Sequence, residues 1–301
     1  MDGTQSVSTF VRDVYPKVHL GLAPASLQQM VFTARVFERW AGRPVAIGEM
    51  CDDLLRDFLA WYLTQVRAPT CNSKRRQLLA AWRCAVDLGL CAQPPGRIRA
   101  APEDLRDPEG WRVEEIQRVL SVAAAEPGEI AGVPAWLWWT SLMRVLYFSG
   151  ERISAVFRAE PKDFEMGDPG GFRVPKRKNH RGMWHWLPAD AIDDCRQLLE
   201  HGGPREVMWP VPWSRENRDE RLRAILGRAG VAFGRDRGGL WYKFRRTAGS
   251  LVEAAGGDGS KLLGNTRGVF ERHYRDPRLC GASQAMLLPP LASPLTLRIV
   301  S

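Results

Sequence analysis

Between residues 24 and 91 the apolar positions recur at helical spacing. Leu27, Met30, Val31, Ala34 and Phe37 follow a helix start expected at Ser26, whose hydroxyl would satisfy a first-turn N–H. Leu54, Leu55, Phe58, Leu59, Tyr62, Leu63 and Val66 form a wide apolar stripe that Pro69 is expected to stop. A third helix is predicted from Asn72 or Ser73 to Gly89, burying Leu78, Trp82, Ala85 and Val86. Residues 1–23 show little periodicity and read as a lead-in. The stretch 92–110, with four prolines and two glycines, reads as a linker between domains.

A second module is expected over residues 111–277. It opens on a helix with Glu114 and Glu115 in the first turn, and a strongly apolar helix follows from about 135 to 148, broken by Ser149-Gly150. A short helix begins near Arg152. In 171–187 the pattern changes to alternation, with Phe172 and Val174 on one arm and Trp184 and Trp186 on the other, about a turn at 179–182. That is a β-hairpin. Helical patterning resumes from 190 to 274, and 278–301 is a tail ending in Leu295, Leu297, Ile299 and Val300. The fold class is therefore mainly α with a small β-hairpin or sheet, in two domains.

The 301 residues, 45% hydrophobic and 26% charged, have globular rather than disordered composition. The best candidate span, 133–143, is far short of the ~20 residues a membrane helix needs and stops at Arg144. The N-terminus lacks the basic and apolar regions of a signal peptide, so a cytoplasmic protein with no membrane association is expected. Cys51, Cys71, Cys84, Cys91, Cys195 and Cys280 form no CxxC pair and read as reduced thiols, and no histidine stands at zinc-ligand spacing.

The charge, 43 basic against 34 acidic residues, is +9 and favours a polyanionic partner. Arg173, Lys176, Arg177, Lys178 and Arg181 crowd the hairpin within nine residues that contain no acid. A second basic run spans 215–245. A solvated face explains either run alone; two in one module with aromatic neighbours also fit a phosphate-binding surface. In the first module, Lys74, Arg75 and Arg76 stand near a predicted helix start with Arg83 two turns on. They fit either a backbone or major-groove contact or a polar outer face.

Four elements occur in order. They are Tyr147-Phe148-Ser149-Gly150-Glu151-Arg152-Ile153-Ser154, the hairpin with Lys178, Tyr242-Lys243-Phe244-Arg245-Arg246-Thr247, and Leu262-Leu263-Gly264-Asn265 with Tyr274 nine positions later. In this order and spacing the chain resembles the catalytic domain of the tyrosine recombinases, the phage-integrase family. The first module, with Asn72-Ser73-Lys74-Arg75-Arg76, resembles that family's core-binding domain, and the likeness covers roughly residues 24–277.

The resemblance implies a site-specific DNA recombinase that cuts and rejoins strands through a covalent phosphotyrosine, with neither cofactor nor metal. Tyr274 would be the nucleophile, Arg152 and Arg245 the guanidinium forks on the phosphate, and Lys178 the acid for the 5′ oxygen. Tyr242 occupies the family's usual histidine position and Asn265 its later His or Trp position, while Ala155 stands where an acidic residue is usual. His185, on the return arm, is either a proton carrier or an ordinary strand residue. The expected DNA contacts are Lys74, Arg75, Arg76, Arg83, Lys176, Arg177 and Arg181. The implied partner is double-stranded DNA, bound by a homotetramer in a nucleoid-associated, cytoplasmic setting. Two other functions stay open: a catalytically impaired, recombinase-derived DNA-binding protein, and a DNA-relaxing topoisomerase of similar chemistry.

Overall fold

A computed structural model describes residues 3–104, 107–174, 182–201, 203–233 and 239–280. The chain divides into two compact units, Met1–Leu105 and Arg106–Ser301.

The first unit is helical. Helices α1 (Val7–Asp13) and α2 (Tyr15–Val18) precede α3 (Pro24–Ala41), α4 (Asp52–Gln65) and α5 (Ala68–Asp87). The supposed lead-in is thus structured. Val7, Phe10 and Val11 of α1 are almost wholly buried in the core with Phe37, Phe58 and Trp82. A helix of two turns is too short for its apolar spacing to stand out from chance. Two helix starts also lie earlier than expected. Pro24 and Pro69 each occupy the first turn, where the missing N–H costs nothing and φ is already set, so α3 begins before Ser26 and α5 begins at Ala68. Pro69 opens α5. Residues following α5 lie along this unit: the Trp82 indole donates to Gln93 O at 2.7 Å, and the Asn72 amide bonds Ala101 and Glu103.

The second unit is built on α7 (Ala135–Ser149). Leu137, Trp138, Trp139, Leu142, Met143, Val145 and Leu146 are all buried, so this helix is apolar on most of its circumference and occupies the centre. Around it lie α6 (Val113–Ala123), α9 (Ala189–Glu200), α10 (Arg215–Arg228) and α11 (Tyr242–Ala254). A small ribbon, β1 (Glu129–Ile130) with β2 (Val133–Pro134), leads into α7, and α8 (Ile153–Val156) follows it.

The antiparallel sheet has the order β3 (Phe164–Glu165), β4 (Gly170–Val174), β5 (Met183–Leu187), with Phe172 opposite His185 and Arg173 opposite Trp184. The hairpin is present, but its faces are assigned opposite to what hydrophobicity suggests on β5. His185 and Leu187 point into the core while Trp186 is 63% exposed. Helices α12 (Gly259–Leu262) and α13 (Arg267–His273) close the unit. No helix among the described residues is long and apolar enough to cross a membrane. All six cysteines are free thiols.

Candidate active site

The loop after α7 sets the first part of the site. Gly150 ends the helix at φ 61°, the left-handed conformation that glycine adopts without strain. A Cβ there would also come within 2.6 Å of Leu263 Cδ2. Gly150→Ala is therefore expected to cost about 1–3 kcal/mol, more than Gly256→Ala, where φ is 82° but no atom lies within 4 Å. Thermal melts of the two variants give the comparison; equal losses would mean that Leu263 yields freely.

Turning at Gly150 presents Glu151 and Arg152. Ser149 Oγ donates to Val145 O at 2.5 Å and accepts the Glu151 amide at 3.1 Å. The Arg152 amide donates to Glu151 Oε2 at 3.1 Å, and its guanidinium reaches Asn265 Oδ1 at 3.4 Å.

Arg245, in the first turns of α11, is the centre of the arrangement. It is 1% exposed, with Nη1 donating to Gly150 O at 2.6 Å and Nη2 to Leu263 O at 2.5 Å. Its guanidinium carbon lies 4.9 Å from the centroid of the Tyr274 ring. Burial, together with the nearby Arg152 charge and against the pull of the Tyr274 phenol, brings its pKa down to about 10, so it is still a cation at neutral pH. The two carbonyls and the Tyr274 phenol beside it are all neutral, which leaves that charge uncancelled.

Tyr274 follows α13 directly. Its amide donates to Phe270 O at 2.8 Å, and its carbonyl accepts Ser250 Oγ from α11 at 3.3 Å. The ring, 8% exposed, stacks on Tyr242 at 6.4 Å between centroids and packs with Leu263 and Phe270. Two residues on, the buried Asp276 carboxylate accepts the Gly110 amide at 2.9 Å and pairs with Arg278 at 2.7 Å. Arg246 Nε donates to His273 O at 3.1 Å. The segment carrying Tyr274 is thus fastened to α11 on both sides of the tyrosine.

Arg152, Tyr242, Arg245, Asn265 and Tyr274 accordingly share one locality. Arg245 Nε and Asn265 Nδ2 are buried there without a hydrogen-bond partner among the described residues. Two desolvated donors, one of them within the Arg245 guanidinium, beside the Arg152 guanidinium make a site whose unmet need is an anion. No group of three or more His, Cys, Asp or Glu able to hold a metal occurs among the described residues. Lys176, Arg177, Lys178 and Arg181 fall outside the described residues, as does the apolar end of the tail.

The first-unit cations divide. Arg76 and Arg83 are exposed. Lys74 is 6% exposed: its ammonium donates to Thr33 Oγ1 at 2.9 Å, lies 4.6 Å from the Phe32 ring centroid, and has its pKa lowered by burial. Arg75 Nε donates to Ile98 O at 2.8 Å. The earlier start of α5 explains the difference, because it places Lys74 well inside the helix and opposite α3.

Sequence reasoning did not foresee the partner of His185. Its Nε2 lies 2.9 Å from Glu151 Oε1, and both residues are buried. The signal available was a histidine one register step from Trp184 and Trp186, hence on the opposite strand face.

By sequence, the chain matches no family profile and no curated protein. By structure it is similar to several solved proteins. One is a lambda integrase dimer bound to a COC′ core site, at 17% identity, covering 91% of this chain and 78% of that one, with TM-score 0.66. A second is the XerH site-specific recombinase bound to difH substrate in a pre-cleavage complex, at 14% identity, with 93% and 82% covered and TM-score 0.65. A third is the Tn1549 transposon integrase in complex with a circular intermediate DNA, at 10% identity, with 90% and 95% covered and TM-score 0.70. These neighbours are all tyrosine recombinases. With α11 and α13 presenting Arg245 and Tyr274 to the loop of Arg152, this chain has the tyrosine-recombinase fold.

Proposed function

We propose that the protein is a DNA strand transferase that cuts and rejoins duplex DNA at specific sites through Tyr274. The observation that carries this reading is the pair of buried, unpartnered donors, Arg245 Nε and Asn265 Nδ2, beside Arg152 and the Tyr274 ring. In the reaction, the Tyr274 phenolic oxygen gives up its proton to solvent as it attacks a backbone phosphorus. The bond from phosphorus to the 5′ oxygen breaks, and that oxygen takes a proton, assigned to Lys178 by resemblance. Strand and enzyme are left joined as a phosphotyrosine, whose reversal by another 5′ hydroxyl reseals the strand. Arg152 and Arg245 hold the non-bridging oxygens, with Asn265 and Tyr242 as further donors. A lambda integrase tetramer bound to a Holliday junction is among the structural neighbours, and assembly of this chain as a tetramer on DNA belongs to the same proposal.

The test uses duplexes with a randomised core and a single nick, so that cleavage releases a short fragment and traps the adduct. Denaturing gels are expected to show a covalent complex, and sequencing the attached DNA identifies the target. Binding without any adduct between pH 6 and 9 would overturn the reading. That outcome would favour the impaired, DNA-binding alternative, which Ala155, Tyr242 and Asn265 recommend because none carries the usual acid or imidazole.

Phosphate contact in the first unit is assigned to Arg76 and Arg83. Replacing either with Ala is expected to reduce the slope of log affinity against log salt by about 1. Lys74→Met is expected to leave the slope unchanged, since its ammonium is buried on Thr33. A slope that responds to Lys74 and ignores Arg76 and Arg83 would reverse this assignment.

A further inference from the structure

Glu151 and His185 sit beneath the site with no part in the chemistry described above. Their side chains are 0% and 2% exposed, and each is engaged by the other. His185 Nε2 meets Glu151 Oε1 at 2.9 Å, and the other carboxylate oxygen accepts the Arg152 amide at 3.1 Å. The imidazole also stacks on Phe172, its register partner on β4, at 5.4 Å between centroids. That contact restricts rotation of the ring.

Burying such a pair costs several kcal/mol of desolvation, and apolar side chains of similar volume usually stabilise a core at least as well. What an apolar pair would lack is direction. A carboxylate that bonds an imidazole with one oxygen and a backbone N–H with the other fixes the peptide carrying that N–H. Here that peptide leads into Arg152. The preceding residue, Gly150, gives its carbonyl to Arg245. The loop is therefore held between β5, through His185, and α11, through Arg245.

We propose that Glu151 and His185 are positioning residues, a buried strut that sets Arg152 against Arg245 and ties both to the β4–β5 hairpin. The proposal rests on the strand-transfer reading above. In the absence of the strut the fold survives, but the two guanidinium groups no longer straddle one phosphate. A misplacement of about 1 Å at a reacting centre typically costs on the order of 10²-fold in rate.

The experiment measures single-turnover cleavage at saturating nicked substrate, of the sequence recovered from the randomised selection, alongside DNA affinity and melting temperature. Glu151→Ala and His185→Ala are expected to lower the cleavage rate constant about 100-fold while affinity stays within about two-fold. His185→Gln retains an N–H for Glu151 and is expected to recover most of the rate, to within about ten-fold of wild type. The defect of His185→Ala is expected to be equal on a 5′-bridging phosphorothiolate, whose sulfur leaves without a proton. Rescue there would make His185 a proton donor and overturn the positioning role. Rates within three-fold of wild type for both alanine variants, with lowered melting temperature, would reduce the pair to a structural one. If the alanine variants do not fold, Glu151→Gln decides, because its one amide oxygen cannot accept both the His185 ring N–H and the Arg152 amide: full rate with reduced melting temperature overturns the proposal. Absence of adduct from the wild type is a different result, because it removes the strand-transfer reading itself.

Discussion

Tyr274→Phe is expected to abolish the covalent protein–DNA complex while leaving DNA affinity within about two-fold of wild type. The substitution removes one hydroxyl and no cation, so the electrostatic part of binding persists. The ring also keeps its stack on Tyr242 and its place over Arg245, so the fold around it is expected to hold. Loss of a nucleophile typically lowers turnover by at least about 10⁴-fold, which on a denaturing gel is complete loss of adduct. Peptide mapping adds a control, because Tyr242 brings a second phenol to the same place. An adduct that persists in Tyr274→Phe and maps to Tyr242 would reassign the nucleophile to the start of α11.

Arg245 is expected to give the largest combined effect. On the proposed mechanism Arg245→Ala removes a transition-state cation, worth on the order of 10²–10³-fold by analogy with other oxyanion donors. It also strips Gly150 O and Leu263 O of their donors in a buried setting. Each lost bond to a charged group is worth about 1.5–3 kcal/mol, partly offset by no longer burying a cation, so a net loss of about 2–4 kcal/mol follows. In a unit of this size that lowers the melting temperature by about 5–15 °C. Arg245→Lys keeps the charge, but one ammonium cannot bridge both carbonyls and the phosphate. Cleavage about 100-fold slower with only part of the stability loss is expected. A lysine variant within a few-fold of wild type would mean that charge alone, and not the fork, is what the site uses.

Much of this architecture is legible in the sequence, for physical reasons. The helix ending at Ser149 is visible because its apolar run is long and glycine marks its end. The hairpin is visible because alternation stops at turn residues. The short helix α1 is not visible, because its two turns carry too few positions to establish a period. Pro69 was readable as a stop but is a start, since a proline in the first turn and a proline after the last look alike in sequence. The inward face of β5 is not legible for a different reason. Hydrophobicity favours Trp184 and Trp186 inside, whereas Glu151 supplies a buried partner for His185 and the strand turns its other face inward. That partner lies thirty-four residues away, and no local pattern reports it. Among the site residues, the resemblance carried by four motifs in order marked Arg152, Arg245, Asn265 and Tyr274 as candidates, but it carried no information on the carbonyl partners of Arg245.

Those carbonyl partners have a consequence for how the protein meets its substrate. A buried arginine is ordinarily matched by a carboxylate, and the two cancel before any ligand arrives. Arg245 is instead lodged among neutral oxygens, so the folded chain carries an unfinished ion pair at the point where Tyr274 and Asn265 converge. The cost of desolvating that charge is met once, during folding, and not again when DNA docks. On the strand-transfer reading, a backbone phosphate entering the site completes the pair, and by linkage its binding stabilises the very helix and loops that hold the cation. On that reading, substrate capture is the last step of assembling the core.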